Sequence, residues 1–488
     1  MLFNSFEFSV FLPLVFIIFW SLKNNLKYQN IFLLFASYFF YGWWDWRFLS
    51  LLIFSTLADF IIGNTIYKEN NISRKRVLLW ISIFINVGLL CTFKYFNFFI
   101  NNFVEVFSFF GKKISPRSLN IILPVGISFY TFQTLSYTID IYKRKIKPSK
   151  DLIVFSAFVS FFPQLVAGPI ERATNLLPQF KATKRFDYSS AVDGMRQILW
   201  GFFKKVVIAD TCAIYANLIF DDFSSYSGVT LFFGSVLFAF QIYGDFSGYS
   251  DIAIGTSRLF GFKLMKNFNF PYFSRDIAEF WRKWHISLST WFRDYLYVPL
   301  GGSKGTRVNK FRNVFIIFLI SGFWHGANWT FIVWGAINAL YFTPLLFLKK
   351  NRDNINLVSV DRLLPTVKEF FQISFTFFLV CLAWVFFRSE NISNAFHFLM
   401  TLFEGLVYKT GYVQLLDLFY FKIGAVFPLI FIVFLSFEWA GRSNMYAIEK
   451  LFIKKKRIFR RIVYYVIILI VMYYSASDVE QEFIYFNF

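Results

Sequence analysis

Apolar runs long enough, or nearly long enough, to cross a hydrocarbon core about 30 Å thick recur along the whole chain. They lie near residues 6–22, 30–44, 48–67, 78–99, 121–142, 206–220, 228–244, 311–324, 329–348, 369–388, 420–440 and 461–476. Backbone placed in lipid must satisfy its own N–H and C=O groups, so each run reads as a helix. Composition agrees, because 57% hydrophobic and 16% charged residues fit a soluble chain poorly. The fold class is therefore an all-α polytopic membrane protein. It reads as a single integral-membrane domain over residues 1–488, with N-terminal helices to 150, a core over 151–330 and C-terminal helices over 331–488.

Several runs are short, so some helices must be tilted, broken or re-entrant. The stretch "DLIVFSAFVSFFPQLVAGP", residues 151–169, carries two prolines and a glycine. It is expected to enter without crossing, since irregular backbone is tolerated at membrane depth only where protein or a cavity surrounds it. The first twenty residues lack a basic leader and a small-residue cleavage site, and read as a retained first span. The abundant Phe, Tyr and Trp suit lipid-facing and interfacial surfaces.

A formal charge of +21 raises nucleic acid as a partner. The Lys and Arg residues fall instead in short clusters between apolar runs, so no nucleic-acid partner is expected and the clusters read as topology signals. Residues 68–77, 143–150 and 441–461 are placed inside by this rule, and so is the basic segment 172–205. With about twelve crossings both termini fall outside, as does the acidic tail "SDVEQEFIYFNF"; the turn "GKKISPR" at 111–117 is a basic exception there. No internal repeat is visible, which weakens a transporter reading. Cys91, Cys212 and Cys381 are far apart in apolar contexts, so no disulfide framework and no metal site is expected.

Polar chemistry concentrates between residues 241 and 330. "QIYGDFSGYSDIAIG" sets Gly244, Gly248 and Gly255 among Asp245, Ser247, Ser250 and Asp251, which suggests a broken helix or re-entrant turn. Asp245, nearer the apolar side, leans toward function; Asp251 divides evenly between function and an ordinary N-cap. Over residues 276–296 a single amphipathic helix would put Ile277, Trp281, Trp284, Leu288 and Phe292 on one stripe with charges mostly opposite, as in a helix lying in the membrane interface. His285 would point with the stripe.

His325 lies inside "SGFWHGANW" between two apolar runs, with Gly322, Gly326 and Ala327 leaving room for something to approach the ring. An unpaired polar group there costs a few kcal/mol, and ionisable residues at membrane depth are functional hypotheses by default. The third histidine, His397, reads as a surface or packing residue. Two buried imidazoles suit proton transfer in acyl transfer. They make a weak case for zinc without a third ligand, and neither a GxSxG elbow nor a Walker sequence is present.

With these residues in view the chain resembles the bacterial branch of the membrane-bound O-acyltransferases, the alginate O-acetyltransferase type most closely, with peptidoglycan O-acetylation and teichoic acid D-alanylation proteins related. The resemblance runs from "FASYFFYGWWDWRFL" through "LPVGISFYTFQTLSYTIDIY", "FFPQLVAGPIERA", "QIYGDFSGYSDIAIG", "FWRKWHISLSTWFRDYLYVPLGG" and "GFWHGANWTFIVWG" to "FIYFNF". It implies a ring of about 11–12 transmembrane helices, with re-entrant and interfacial helices, around a central funnel or tunnel. It maps the family's catalytic histidine onto His325 and its second motif histidine onto His285.

The resemblance further implies acyl transfer, acetyl above all, from a cytoplasmic thioester to an extracytoplasmic polysaccharide. The donor would be acetyl-CoA, another acyl-CoA or an acyl carrier protein; no permanently bound cofactor is expected. His325 would be the general base with His285 assisting. Trp324 and Asn328, or backbone amides near Gly322 and Gly326, would stabilise the oxyanion, and Asp245 would orient a histidine or position the donor in the same cavity. Expected partners are the bilayer of the cytoplasmic (inner) membrane and an extracytoplasmic SGNH-type acyltransferase. A transporter or flippase of a lipid-linked sugar, relaying protons through buried histidines, and a scaffold for an export complex stay open as alternatives.

Overall fold

A computed structural model describes residues 1–109, 123–360, 362–406, 409–424, 426–476 and 483–484. Every regular element among the described residues is helical. The basic turn at 111–117 lies outside them, as does most of the acidic tail. The chain forms two compact units, one of residues 1–194 with 256–265 and the other of residues 195–255 with 266–488.

The first unit opens with α1 (Phe6–Ser21) and α2 (Leu26–Gly42), whose first turns are capped by the side chains of Ser5 and Asn25. It continues with α3 (Leu49–Lys68) and α4 (Ile72–Leu90), which runs through a π segment at Cys91–Tyr95 into α5 (Phe96–Phe109). α6 (Ile127–Tyr142) packs against α3 and α4. Their seam is polar: Asp59 accepts from Ser82 Oγ at 2.6 Å and Asn86 Nδ2 at 2.8 Å, and Asn86 Oδ1 accepts from Ser55 and Thr134. In lipid, where apolar contact gives helices little reason to associate, such interhelical hydrogen bonds fix register.

The 151–169 stretch forms α7 (Leu152–Ser160) and α8 (Phe162–Leu165), broken at Phe161 and almost wholly buried. Nine residues rise only about 14 Å, too little to cross the core. α9 (Ala173–Leu176) follows.

The chain enters the second unit within α10 (Tyr188–Phe202), and a π segment at Phe203–Ala209 leads to α11 (Asp210–Asp221) and the 32-residue α12 (Gly228–Leu259). Two short helices follow, α13 (Ile277–Lys283) and α14 (Ile286–Phe292). α15 (Arg307–His325) and α16 (Trp329–Phe347) form the most extensively packed helix pair. α17 (Val367–Arg388), α18 (Ile392–Gly405), α19 (Lys409–Asp417), α20 (Val426–Ala440) and α21 (Arg457–Ser475) complete the unit.

Six helical stretches among the described residues are long and apolar enough to span a membrane: Trp46–Lys68, Ile72–Ser108, Gly228–Leu259, Trp329–Phe347, Val367–Arg388 and Arg457–Ser475. The multi-pass, all-α character stands. The other expected spans are helices too, but shorter, like α1 and α20, or more polar, as in α6 with Gln133 and Asp140 and α15 with Arg307, Lys310 and Arg312.

Two local expectations are overturned. α12 passes unbroken through "QIYGDFSGYSDIAIG". Its glycines are contact points, since a Cβ on Gly248 would lie 2.8 Å from the Gly201 carbonyl oxygen and one on Gly244 2.9 Å from that of Lys204. The 276–296 stretch is not one helix; it breaks at Trp284 and His285, with His285 in the left-handed region at φ 42°.

Candidate active site

His325 ends α15, 3% exposed. Its ring centroid lies 4.8 Å from Trp324, 5.1 Å from Trp334 of α16 and 5.3 Å from Phe387 of α17, all edge-on. Three helices therefore converge on one imidazole. α15 and α16 come this close because small residues let their backbones meet: a Cβ on Gly322 would sit 2.2 Å from the Phe331 carbonyl oxygen, and one on Gly335 2.3 Å from that of Phe318. A Cβ on Gly326 would fall 2.1 Å from the Phe331 ring. The space the sequence reading gave to an approaching ligand is thus taken by α16. Gly322→Ala is expected to destabilise the protein by about 1–3 kcal/mol through overpacking against backbone; an unchanged melting temperature in detergent would contradict this account of the helix pair.

His285 is held at the break between α13 and α14 by the irregular segment before them. Ile286 N donates to the Asn267 carbonyl at 2.8 Å and Asn269 N to that of Lys283 at 2.9 Å. The Asn267 carboxamide then decides the protonation of the ring. Ser287 N and Oγ donate to Asn267 Oδ1 at 3.2 and 2.8 Å, while Asn267 Nδ2 donates to Ser250 Oγ at 3.1 Å. A backbone N–H can only donate, so this amide end is the oxygen. His285 Nδ1 stands 3.1 Å from the same oxygen and must carry the proton there. Nε2 keeps its lone pair, buried and with no hydrogen-bond partner among the described residues. Burial also pushes the imidazole down to about 3, which keeps it neutral. The ring meets Phe246 edge-on at 4.6 Å. Trp324 lies 6.1 Å from it, so one indole touches both histidines.

The remaining sequence candidates fall elsewhere. The Asn328 side chain caps α16 by accepting from Thr330 N at 3.0 Å and donates to the Glu390 carbonyl at 2.7 Å, so its polar atoms are used in structure. Asp245 pairs with Lys205 at 2.8 Å and accepts from Ile484 N at 2.6 Å; the group that orients His285 is Asn267. His397 is exposed and packs edge-on to Phe223.

Sequence reasoning missed Asn267, which alternates with Phe268 and Phe270 and so reads as an ordinary outward polar position. Lys204 and Lys205, at the end of the basic segment 172–205 that reads in sequence only as a topology signal, are 3% and 5% exposed. Lys204 pairs with Asp251 at 2.6 Å and donates to Ser247 Oγ at 2.9 Å, and Gln197 Nε2 donates to Asp251 at 2.7 Å. Asp251 is thereby a buried ion-pair partner, not a cap. Glu438 of α20 accepts from Trp200 Nε1 at 3.1 Å and Tyr243 OH at 2.5 Å. Lys204, Asp251, Glu438, Lys266 and Asn267 all border one small cavity of about 10 Å³, so the amide that orients His285 lies beside a tightly packed cluster of two cations and two carboxylates.

Beside α13 and α14 lies an open cleft of about 580 Å³, bordered by Trp281, Arg282, Ser289, Thr290, Arg293 and Arg352, with no carboxylate among its described lining residues. It reaches Ile286, next to His285. Arg282 is steadied by the carbonyls of Asn351 and Asn354, each at 2.8 Å. Three guanidiniums, of which Arg293 also pairs with Asp294 at 2.7 Å, and two hydroxyls in one concavity suit phosphate oxygens.

A family model for the membrane-bound O-acyltransferases matches residues 143–387, which hold both histidines. The chain is similar to the probable alginate O-acetylase AlgI of Pseudomonas putida, 38% identical over 90% of this chain and 88% of that one. It is also similar to the peptidoglycan O-acetyltransferase of Helicobacter pylori, 35% identical over 82% of this chain and 78% of the other. With the teichoic acid D-alanyltransferase of Bacillus subtilis it shares 28% identity over 53% of its length and 69% of that protein's.

Proposed function

This chain belongs to the membrane-bound O-acyltransferase family, and from that premise we propose that it takes an acyl group, acetyl in the simplest case, from a cytoplasmic thioester for ester formation on a cell-envelope or extracellular polysaccharide. Membership makes it a multi-pass membrane O-acyltransferase and disfavours the transporter reading. The observation that carries the proposal is the pair of buried imidazoles that both neighbour Trp324, one with its tautomer fixed by Asn267.

The chemistry balances simply. An acceptor hydroxyl oxygen attacks the thioester carbonyl, a C–O bond forms, the C–S bond breaks, and the thiol leaves with a proton. A neutral imidazole takes the hydroxyl proton and returns it to the sulfur. We assign that exchange to His325, with the His285 Nε2 lone pair as the second acceptor, and place the donor's phosphates in the Arg282, Arg293 and Arg352 cleft. Acetyl-CoA and a carrier-bound phosphopantetheine both carry such phosphates. The first acceptor hydroxyl is that of a separate extracytoplasmic protein of the SGNH type at the cytoplasmic membrane, which then passes the acyl group from its own ester to a polysaccharide hydroxyl.

Mass spectrometry of envelope glycans with and without the gene tests this reading. Loss of an ester-linked acyl group with the glycan itself still exported is the expected result. An unchanged ester profile with missing glycan would overturn it in favour of export. Proteoliposomes supplied with radiolabelled acetyl-CoA are expected to release free thiol, and Arg352→Gln to raise the donor KM several-fold with little change in kcat, as for a contact used equally in ground and transition states.

A further inference from the structure

The first unit carries a second concavity unrelated to the histidines. A cleft of about 460 Å³ is bordered by the end of α3 (Ile66, Tyr67), by Lys75 of α4 and by the end of α6 with the segment after it, which brings Arg144, Lys145 and Lys147. Its floor includes Ile66 and Ile141, each 1% exposed. Four cations and no carboxylate stand among its described lining residues. Asp140, at the end of α6, pairs with Lys145 at 3.5 Å.

A positive inner loop by itself predicts dispersed, solvated lysines. Here cations from two separate parts of the chain share one apolar-floored hollow. The loop that presents them is also fixed: Ser149 N donates to Tyr137 OH at 3.0 Å and Asn64 Nδ2 to the Ser149 carbonyl at 3.1 Å. Lys145 N and Arg144 N close the end of α6 onto the Asp140 and Ile141 carbonyls. That closure puts Arg144 at φ 56°, a helix-terminating position that glycine usually takes, and the chain spends a guanidinium there. The helices that supply the cleft expose apolar side chains along their length, Ile61 at 61%, Trp80 at 60% and Phe84 at 78%.

We propose that this cleft binds the phosphodiester headgroup of an anionic membrane lipid of the cytoplasmic leaflet. The phosphate oxygens meet Lys75, Arg144 and Lys147, the glycerol lies over Tyr67 and Tyr142, and the acyl chains run down α3 and α4. Charge complementarity names the headgroup and the apolar floor names a lipid over a soluble phosphate, as expected of basic pockets between membrane helices.

The test uses full-length protein, delipidated in detergent and followed by thermal shift and native mass spectrometry. Phosphatidylglycerol is expected to raise the melting temperature and to persist as a bound adduct, while phosphatidylcholine and glycerol 3-phosphate at equal concentration are not. Arg144→Gln with Lys147→Gln should weaken the phosphatidylglycerol response at least ten-fold, and Lys75→Gln alone several-fold should the double variant not fold. Glutamine at Lys454, Lys455 and Lys456, outside the cleft, should leave it unchanged. Equal stabilisation by phosphatidylcholine, a full response to glycerol 3-phosphate, a response surviving both cleft variants, or one lost equally in the Lys454–Lys456 variant would each overturn the site.

Discussion

His325→Ala is expected to lower ester formation by about 10²–10⁴-fold, the range a positioned general base contributes, while the protein reaches the membrane at normal abundance. The ring sits where α15, α16 and α17 meet, among Trp324, Trp334 and Phe387. Truncation also empties part of an aromatic cage, so lost activity alone would not separate chemistry from packing. His325→Gln keeps a polar side chain of similar reach but cannot exchange a proton at neutral pH. Both variants are expected to lose activity to a similar degree, with Gln melting nearer the wild type. Ester formation retained within about three-fold in His325→Gln would remove the imidazole from the reaction.

Asn267 offers the second large effect, and one with a direction in pH. Asn267→Ala leaves the Ser287 N–H and the His285 Nδ1–H without their acceptor, at about 1–3 kcal/mol for each buried unsatisfied donor, and frees the ring to adopt the other tautomer. A loss of about 10–10³-fold in kcat is expected, between the effect of removing an outer partner of a histidine and that of imposing the wrong tautomer.

Asn267→Asp is the more telling change. In the wild type, burial holds the His285 imidazole down at about 3, so it stays neutral at pH 5 and above and contributes no acid limb there. A carboxylate 3 Å or so from Nδ1 stabilises the imidazolium and raises that value. Protonation removes the Nε2 lone pair, so activity should fall away at higher pH in the variant than in the wild type, with a plateau recovered on the alkaline side. A purely structural role for Asn267 predicts a uniform loss at every pH. A variant profile parallel to the wild type would remove Asn267 as the positioning residue.

These two residues also show how far the sequence could be read. The burial of His325 was legible because the ring lies between two long apolar runs. Its surroundings were not, because "SGFWHGANW" does not reveal that Gly322 and Gly326 face Phe331. Asn267 was illegible: in "GFKLMKNFNFPYF" it alternates with Phe268 and Phe270, a pattern that reads as an outward-facing polar position and gives no hint of a buried partner. The His285 break failed for a related reason. The apolar spacing of residues 276–296 fits one helix well, and only the pairing of Asn267 and Asn269 with Ile286 and Lys283 outweighs that local preference.

The same limitation explains Lys204 and Lys205. Charge in sequence reads as solvated, and its burial becomes sensible only once Asp251, Asp245 and Asp210 are brought alongside. Likewise the glycines of α12 read as hinges until their partners, Gly201 and Lys204, are known. The class of fold depended on hydropathy and length, which are local properties. The site depended on pairings between distant segments, which are not.

The pairing of Asp245 with Ile484 N carries a consequence for biosynthesis. The two are 239 residues apart in sequence, and a ribosome adding about 5–20 residues per second leaves the carboxylate waiting on the order of ten seconds to a minute for its last donor. Lys205, made forty residues earlier, is the partner that can shelter this charge through the interval, so a nascent chain lacking it would hold a naked anion in a closing helical bundle while translation finishes. Quality-control proteases should therefore clear Lys205→Met chains early, whereas chains cut just before Phe483 should survive insertion and fail late.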